Sequence, residues 1–161
     1  MSAHDTFPKL MRRNATELAG KPSIREKDLG IWQSWTWDQA ASEIRDFANG
    51  LAAQGFGRGD KLFIIGSNRP RLYWAMCAAQ SLGGIPVPTY QDAVVEELIY
   101  VVDHAEVKYA LAEDQEQVDK LLAVAEQGTA VEKIFYDDSR GLRDYDAEKV
   151  ISFDSVQAQG R

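Results

Sequence analysis

Positive charge, cysteine and long apolar runs are the scarce items of this 161-residue chain, and each scarcity removes a class of function. Lys and Arg number 18 against 25 Asp and Glu, for a formal net charge of −7. That balance weighs against binding nucleic acid or anionic lipid through bulk electrostatics, while leaving room for a local basic patch. Cys77 is the single cysteine, so no internal disulfide can form. It sits in an apolar helical stretch, as a small core residue rather than a nucleophile, and a reducing, cytoplasmic setting suits it. No run of about 18 apolar residues is present, which leaves no hydropathy signal for a membrane span. The amino terminus lacks an apolar signal core, and Arg12-Arg13 is too brief to be a targeting signal. No repeat or low-complexity segment occurs. Hydrophobic residues nevertheless make up 45%, enough for a real core in one domain and too many for a disordered chain.

The richest stretch runs from Gly59 to Pro88. Leu62–Ile65 is an apolar run between turn formers, the pattern of a strand covered on both faces. Asn68 suits a cap, and Pro70 suits a helical first turn because its missing N–H has no partner to lose there. Leu72, Trp74, Ala75, Met76, Ala78, Ala79 and Leu82 then predict a helix largely buried against a sheet, ended by Gly83-Gly84. Ile85–Pro88 follows as a strand that two prolines should make short or irregular. This is a βαβ unit, whose crossover should be right-handed.

The flanking segments extend the same alternation. Asp5–Ala19 reads as an amphipathic helix, and Ser23–Lys27 with Ile31–Thr36 as a hairpin turning at Asp28-Leu29-Gly30. Thr36-Trp37-Asp38-Gln39 fits a capping box opening a helix whose stripe is Ala40, Ile44, Phe47, Ala48, Leu51 and Ala52. Val94–Val102 is a helix with Asp92 as its expected cap, Val107–Ala112 a strand, Asp114–Gly128 a capped helix, and Val131–Tyr136 a further strand. The tail has only Ile151, Phe153 and Val156 as apolar anchors and reads as a strand or a short helix with a fraying end. The expectation is a three-layer α/β unit with a mostly parallel sheet flanked by helices over residues 1–161. It divides into a hairpin-containing region 1–36, a βαβ core 37–136 and an extension 137–161.

Candidate chemistry is thin. Gly55–Asp60 is glycine-rich but precedes a strand, so it offers no cluster of helix-start amides to a phosphate. Gly66-Ser67-Asn68-Arg69 does lie between strand and helix, where an anion would meet such amides and an arginine; turn and cap chemistry account for it better. Asp137-Asp138 is a carboxylate pair at a strand end that suits Mg²⁺ only with a third acid and a lysine, neither of which can be placed, so a turn before Gly141 is the better reading. His104 lacks a nucleophile or metal-ligand companion. Trp35 and Trp37 suit packing better than ligand stacking.

The combined order of motifs is more specific than any single one. Trp35-Thr36-Trp37, Ala48-Asn49-Gly50-Leu51, Gly57-Arg58-Gly59-Asp60, Ser67-Asn68-Arg69-Pro70, Gly84-Ile85-Pro86-Val87-Pro88-Thr89-Tyr90 and His104-Ala105-Glu106-Val107-Lys108 follow one another in the spacing of a known family. The chain resembles the amino-terminal region of an acyl-CoA synthetase of the adenylate-forming (AMP-binding) superfamily, nearest to bacterial long-chain fatty-acid–CoA ligases. Glu113–Lys120 and Asp138–Leu142 carry the similarity across nearly the whole chain.

The resemblance implies a parent enzyme that joins ATP and a fatty acid into an acyl-adenylate, releases pyrophosphate, and passes the acyl group to coenzyme A, with Mg²⁺ balancing the triphosphate charge. The family's Ser/Thr/Gly-rich phosphate loop and its later adenine, ribose and lysine motifs lie beyond this sequence, so none of its core catalytic residues carries over. The expectation is an inactive amino-terminal fragment needing no cofactor by itself, with the remainder of the adenylation domain as partner. An uncovered apolar face would favour self-association, and peripheral membrane association is compatible with the parent. The resemblance also puts Tyr90 and Gln91 on the CoA side of the parent, against the plainer reading of strand exit and helix start. The alternatives are a free-standing α/β binding or regulatory module, and a small nucleotide-binding protein using Gly66–Arg69.

Overall fold

The computed structural model describes residues 5–161. Helix α1 (Phe7–Glu17) starts at Thr6, whose side chain accepts the Lys9 N–H, and it buries no residue fully. Strands β1 (Pro22–Asp28) and β2 (Ile31–Thr36) pair antiparallel as a separate two-stranded sheet. Helix α2 (Trp37–Ala53) begins with the expected capping box: the Thr36 hydroxyl accepts the Gln39 N–H at 3.3 Å and the Gln39 side chain accepts the Thr36 N–H at 2.9 Å. Two helix-end donors are thereby satisfied, which places the stripe Ala40, Ile44, Phe47, Ala48 and Leu51 against the core.

The main sheet comprises β3 (Lys61–Ile65), β4 (Ile85–Thr89), β5 (Tyr109–Ala112), β6 (Lys133–Tyr136) and β7 (Val150–Ser152), all parallel, in the order β4-β3-β5-β6-β7. Helices α3 (Pro70–Ser81) and α6 (Phe153–Gly160) join α1 and α2 on one face, while α4 (Val95–His104) and α5 (Gln115–Glu126) cover the other. Residues alternate between the two cores as strand geometry requires: Leu62, Ile64 and Leu111 belong to one, Phe63, Ile65 and Ala110 to the other. The chain steps from β3 to β4 in one direction under α3, then returns past β3 to β5 under α4. The change of face with the change of direction is what a single crossover hand demands.

Strand β4 is regular despite its prolines. Ile85 donates its N–H to Asp60 O at 2.8 Å, and the two-residue period turns Pro86 and Pro88 away from β3, where no ladder donor is lost. Helix α3 also starts differently from expectation. Its cap is Arg69, without a side-chain bond, while Asn68 accepts a hydrogen bond from the Tyr73 hydroxyl.

The tail supplies both a strand and a helix. Phe153 stacks on Phe47 at 3.9 Å between centroids and 5° between planes, and Val156 is fully buried. So few apolar residues suffice because α6 approaches α2 closely through two glycines. A Cβ on Gly50 would lie 1.9 Å from Val156 O, and one on Gly160 would lie 1.9 Å from Asp46 O. The end of α6 is tied down as well, with Asn49 donating to Gly160 O at 3.0 Å. No described helix is long and apolar enough to cross a membrane.

Gly50→Ala must separate the two helices and should cost about 3 kcal/mol. Gly20→Ala, at a position where a Cβ meets nothing within 4 Å, should be nearly neutral. Denaturant melts of the two variants check this: equal midpoints would mean that α6 is not seated through Gly50.

Candidate functional site

In an open parallel sheet, ligands bind beyond the carboxyl ends of the strands where the strand order reverses. Here that point lies between β3 and β5. The β3 exit is Gly66-Ser67-Asn68-Arg69, leading into α3, and the β5 exit is Glu113, preceding the α5 cap Asp114. Gly66 has φ +151°, and a Cβ there would lie 2.5 Å from that of Glu113, so only glycine lets the two exits meet.

The meeting is filled from within. Glu113 Oε2 accepts the Ser67 backbone N–H at 2.5 Å and the Ser67 hydroxyl at 2.6 Å, and its Oε1 accepts from Arg69 Nε at 2.9 Å. Arg69 also reaches Glu26 on β1 at 3.5 Å, tying the hairpin to the edge of the sheet. Burial alone would push the Glu113 carboxyl up. The bonds from Ser67 and Arg69 outweigh it and hold the group below the usual glutamate range. The place where an incoming anion would meet the Ser67 amide and a guanidinium is thus held by the chain's own carboxylate.

The same logic runs along the edge. Asp137, at the exit of β6, accepts from Arg71 at 3.1 Å, and Arg71 also donates to Asp154 at 2.7 Å while lying 5.0 Å from the centre of the Phe153 ring. Burial pushes the Asp137 carboxyl up, with Arg71 only partly opposing it. Asp138 accepts from the Arg140 N–H at 3.0 Å and from its guanidinium, which holds that carboxyl low and closes the expected turn. Neither member of the pair is free for Mg²⁺, and no group of three or more His, Cys, Asp or Glu that would suit a metal occurs among the described residues.

The remaining candidates are dispersed. Tyr90 leaves the carboxyl end of β4 and is 87% exposed, while the Gln91 carbonyl accepts from Lys120 Nζ at 2.7 Å. Both lie on the same edge as Glu113, with β3 between. Asp92 does not cap α4, which starts at Val94 without a side-chain bond. His104 stacks on Tyr100, its centroid 5.7 Å away. Trp35 packs edge-on against Trp74 at 5.4 Å. Burial pushes the Cys77 thiol up, away from nucleophilic use. An open concavity of about 960 Å³ between α1, α2 and α3 is lined by Phe7, Met11, Cys77, Leu82 and Gly83-Gly84, and it opens toward the amino end of β4 rather than this edge.

Sequence comparison agrees with the architecture. The profile of the AMP-binding enzyme family matches residues 11–159. The chain belongs to that family. Relatives of this AMP-binding family member include Uncharacterized protein Rv1549 of Mycobacterium tuberculosis, 34% identical over 119 residues that make up 74% of this chain and 66% of that one. Long chain acyl-CoA synthetase 3 of Arabidopsis thaliana is 28% identical over 132 residues, 80% of this chain and 19% of that one. Among solved structures, a long-chain-fatty-acid-CoA ligase (FadD1) from Archaeoglobus fulgidus superposes with a TM-score of 0.83 at 15% identity, covering 98% of this chain and 30% of that one. The AMP-binding family member therefore spans just under two thirds of one relative's length and less than a fifth of another's.

Glu113→Gln should lower stability at neutral pH by roughly 2 kcal/mol, since a charged acceptor is lost while its donors stay in place. Because the folded carboxyl sits below its ordinary value of 4.5, its contribution is full above that value and fades as pH falls through the folded pKa. Asp137, shifted upward, opposes this slope. Wild type and Glu113→Gln should therefore converge in acid; a gap that stays constant from pH 7 to pH 3 in denaturant titrations would remove the assignment.

Proposed function

We propose that this chain is the amino-terminal scaffold of a long-chain fatty-acid–CoA ligase and has no thioester-forming activity by itself. The observation that carries the reading is the internally filled switch point. Glu113 occupies the anion position, and Asp137 and Asp138 are both engaged by arginines. The described residues do not fit either group, so the parent's ATP and Mg²⁺ would be held by parts outside this chain.

In this reading the Glu113 and Arg71 networks fix the loop exits at the carboxyl edge so that the rest of the adenylation domain can build on them. Tyr90 and Gln91 are the residues through which the scaffold would reach CoA. Exposure of the Tyr90 ring at a strand exit supports the assignment, since nothing in the fold requires an aromatic there.

A second reading, a free-standing α/β binding or regulatory module, is favoured by one observation: a relative exists of which this chain covers 66%, so the unit also occurs in a protein not much longer.

The purified chain given palmitate, ATP, Mg²⁺ and CoA should form no acyl-CoA, and calorimetry with ATP or AMP should register no saturable heat. Acyl-CoA formation would overturn the scaffold reading, and saturable ATP binding would favour a nucleotide-binding module. In the complete ligase, Tyr90→Ala should raise KM for CoA roughly fivefold with kcat little changed, the pattern of lost uniform binding. An unaltered KM in a folded variant would remove Tyr90 from the CoA side.

A further inference from the structure

The β1–β2 hairpin carries a feature that folding does not explain. Its two-residue loop, Leu29-Gly30, has φ values of +46° and +83°, the pair of positive angles that a type I′ turn requires. Asparagine, aspartate or glycine normally takes the first of these positions, because a branched side chain is strained there. This chain places leucine at that position, 90% exposed, and follows it with Ile31 and Trp32, 65% and 67% exposed. Strain together with exposed apolar surface is unfavourable for a free hairpin and points to a role in binding.

The two faces of the hairpin differ. On the inner face Ile24 and Trp35 are paired across the strands and pack on the core, and Glu26 meets Arg69. On the outer face Trp32 lies opposite Lys27, and Arg25 opposite Ser34. Arg25 and Lys27 are exposed and form no ion pair among the described residues. Asp28 is the acid at the tip, paired across the strands with Ile31, and it lies within electrostatic reach of Arg140. A rigid projection with an aliphatic tip, a tryptophan at its shoulder and unpaired cations behind has the chemistry of an interfacial anchor: the aliphatic groups enter the acyl boundary, the indole sits at headgroup level, and the cations meet anionic phosphates.

We propose that this hairpin docks the protein on the surface of an anionic phospholipid bilayer, with the tip residue Leu29 and the outer-face Trp32 inserted and Arg25 and Lys27 of that same face against the headgroups. With a net charge of −7 the whole chain is not drawn to such a surface from a distance, so the attraction is local, acts within a Debye length and weakens with salt. The inference stands on the hairpin alone and does not need the ligase reading; vesicle binding by a catalytically silent chain would be compatible with both.

The test is flotation of the 161-residue chain with phosphatidylcholine vesicles and with vesicles that also contain phosphatidylglycerol, alongside Leu29→Asn and the double variant Arg25→Gln/Lys27→Gln. Wild type should float with the phosphatidylglycerol vesicles and much less with the neutral ones, and added salt should release it. Leu29→Asn relieves the turn strain, so its Tm should hold or rise while its bound fraction falls about tenfold. The double variant should lose the preference for phosphatidylglycerol. Failure of wild type to float, or Leu29→Asn floating like wild type, overturns the proposal. A fall in Tm for Leu29→Asn would make Leu29 a packing residue and overturn it as well.

Discussion

A carboxylate closing its own sheet's binding position is the interaction from which the rest of this structure follows. Glu113 leaves β5 where an external anion would sit in many parallel α/β proteins, and it satisfies the Ser67 amide and hydroxyl together with the Arg69 guanidinium. Through Arg69 the same cluster reaches Glu26 and fastens the two-stranded sheet. Three segments far apart in sequence, from β1, the β3 exit and the β5 exit, are thereby fixed to one point. Removing the carboxylate leaves two donors and a cation without their acceptor in a half-buried place, which is why the cluster matters more than an exposed ion pair of the same geometry.

The packing is economical in a different way. On the face holding α2, α3 and α6, rings and small residues interlock, with Phe47 between Phe153 and Phe135 and with Gly50 and Gly160 at the helix crossing. Aliphatic residues dominate the opposite core. The first arrangement is the more exacting, because added volume at the glycines meets backbone rather than a side chain able to turn aside.

Local chemistry was legible in the sequence wherever one segment contained both partners. The Thr36 and Gln39 capping box, the Asp114 cap, the turn at Asp138 and the alternation of strands with helices all follow from neighbours in the chain. Partners brought together by topology were not. Glu113 reads locally as one acid among several before a helix, and only the strand order puts it against Ser67, 46 positions earlier. The tail gives a weak signal in sequence for the same reason, since glycine at the α2–α6 crossing carries no hydrophobic pattern although it permits close approach of the two helices. Asn68 and Asp92 show the converse, as residues of capping type to which the fold gives no cap.

The prolines of β4 have a consequence for how copies of this protein can meet. Pro86 and Pro88 turn the outer margin of the sheet into a row that offers carbonyls and no amide hydrogens, so a foreign strand arriving there finds acceptors but cannot complete a ladder. The opposite margin, β7, is only three residues long. A molecule terminated in this way is protected from growing by strand addition into fibres, and any lasting association is left to its helical layers and to the hairpin.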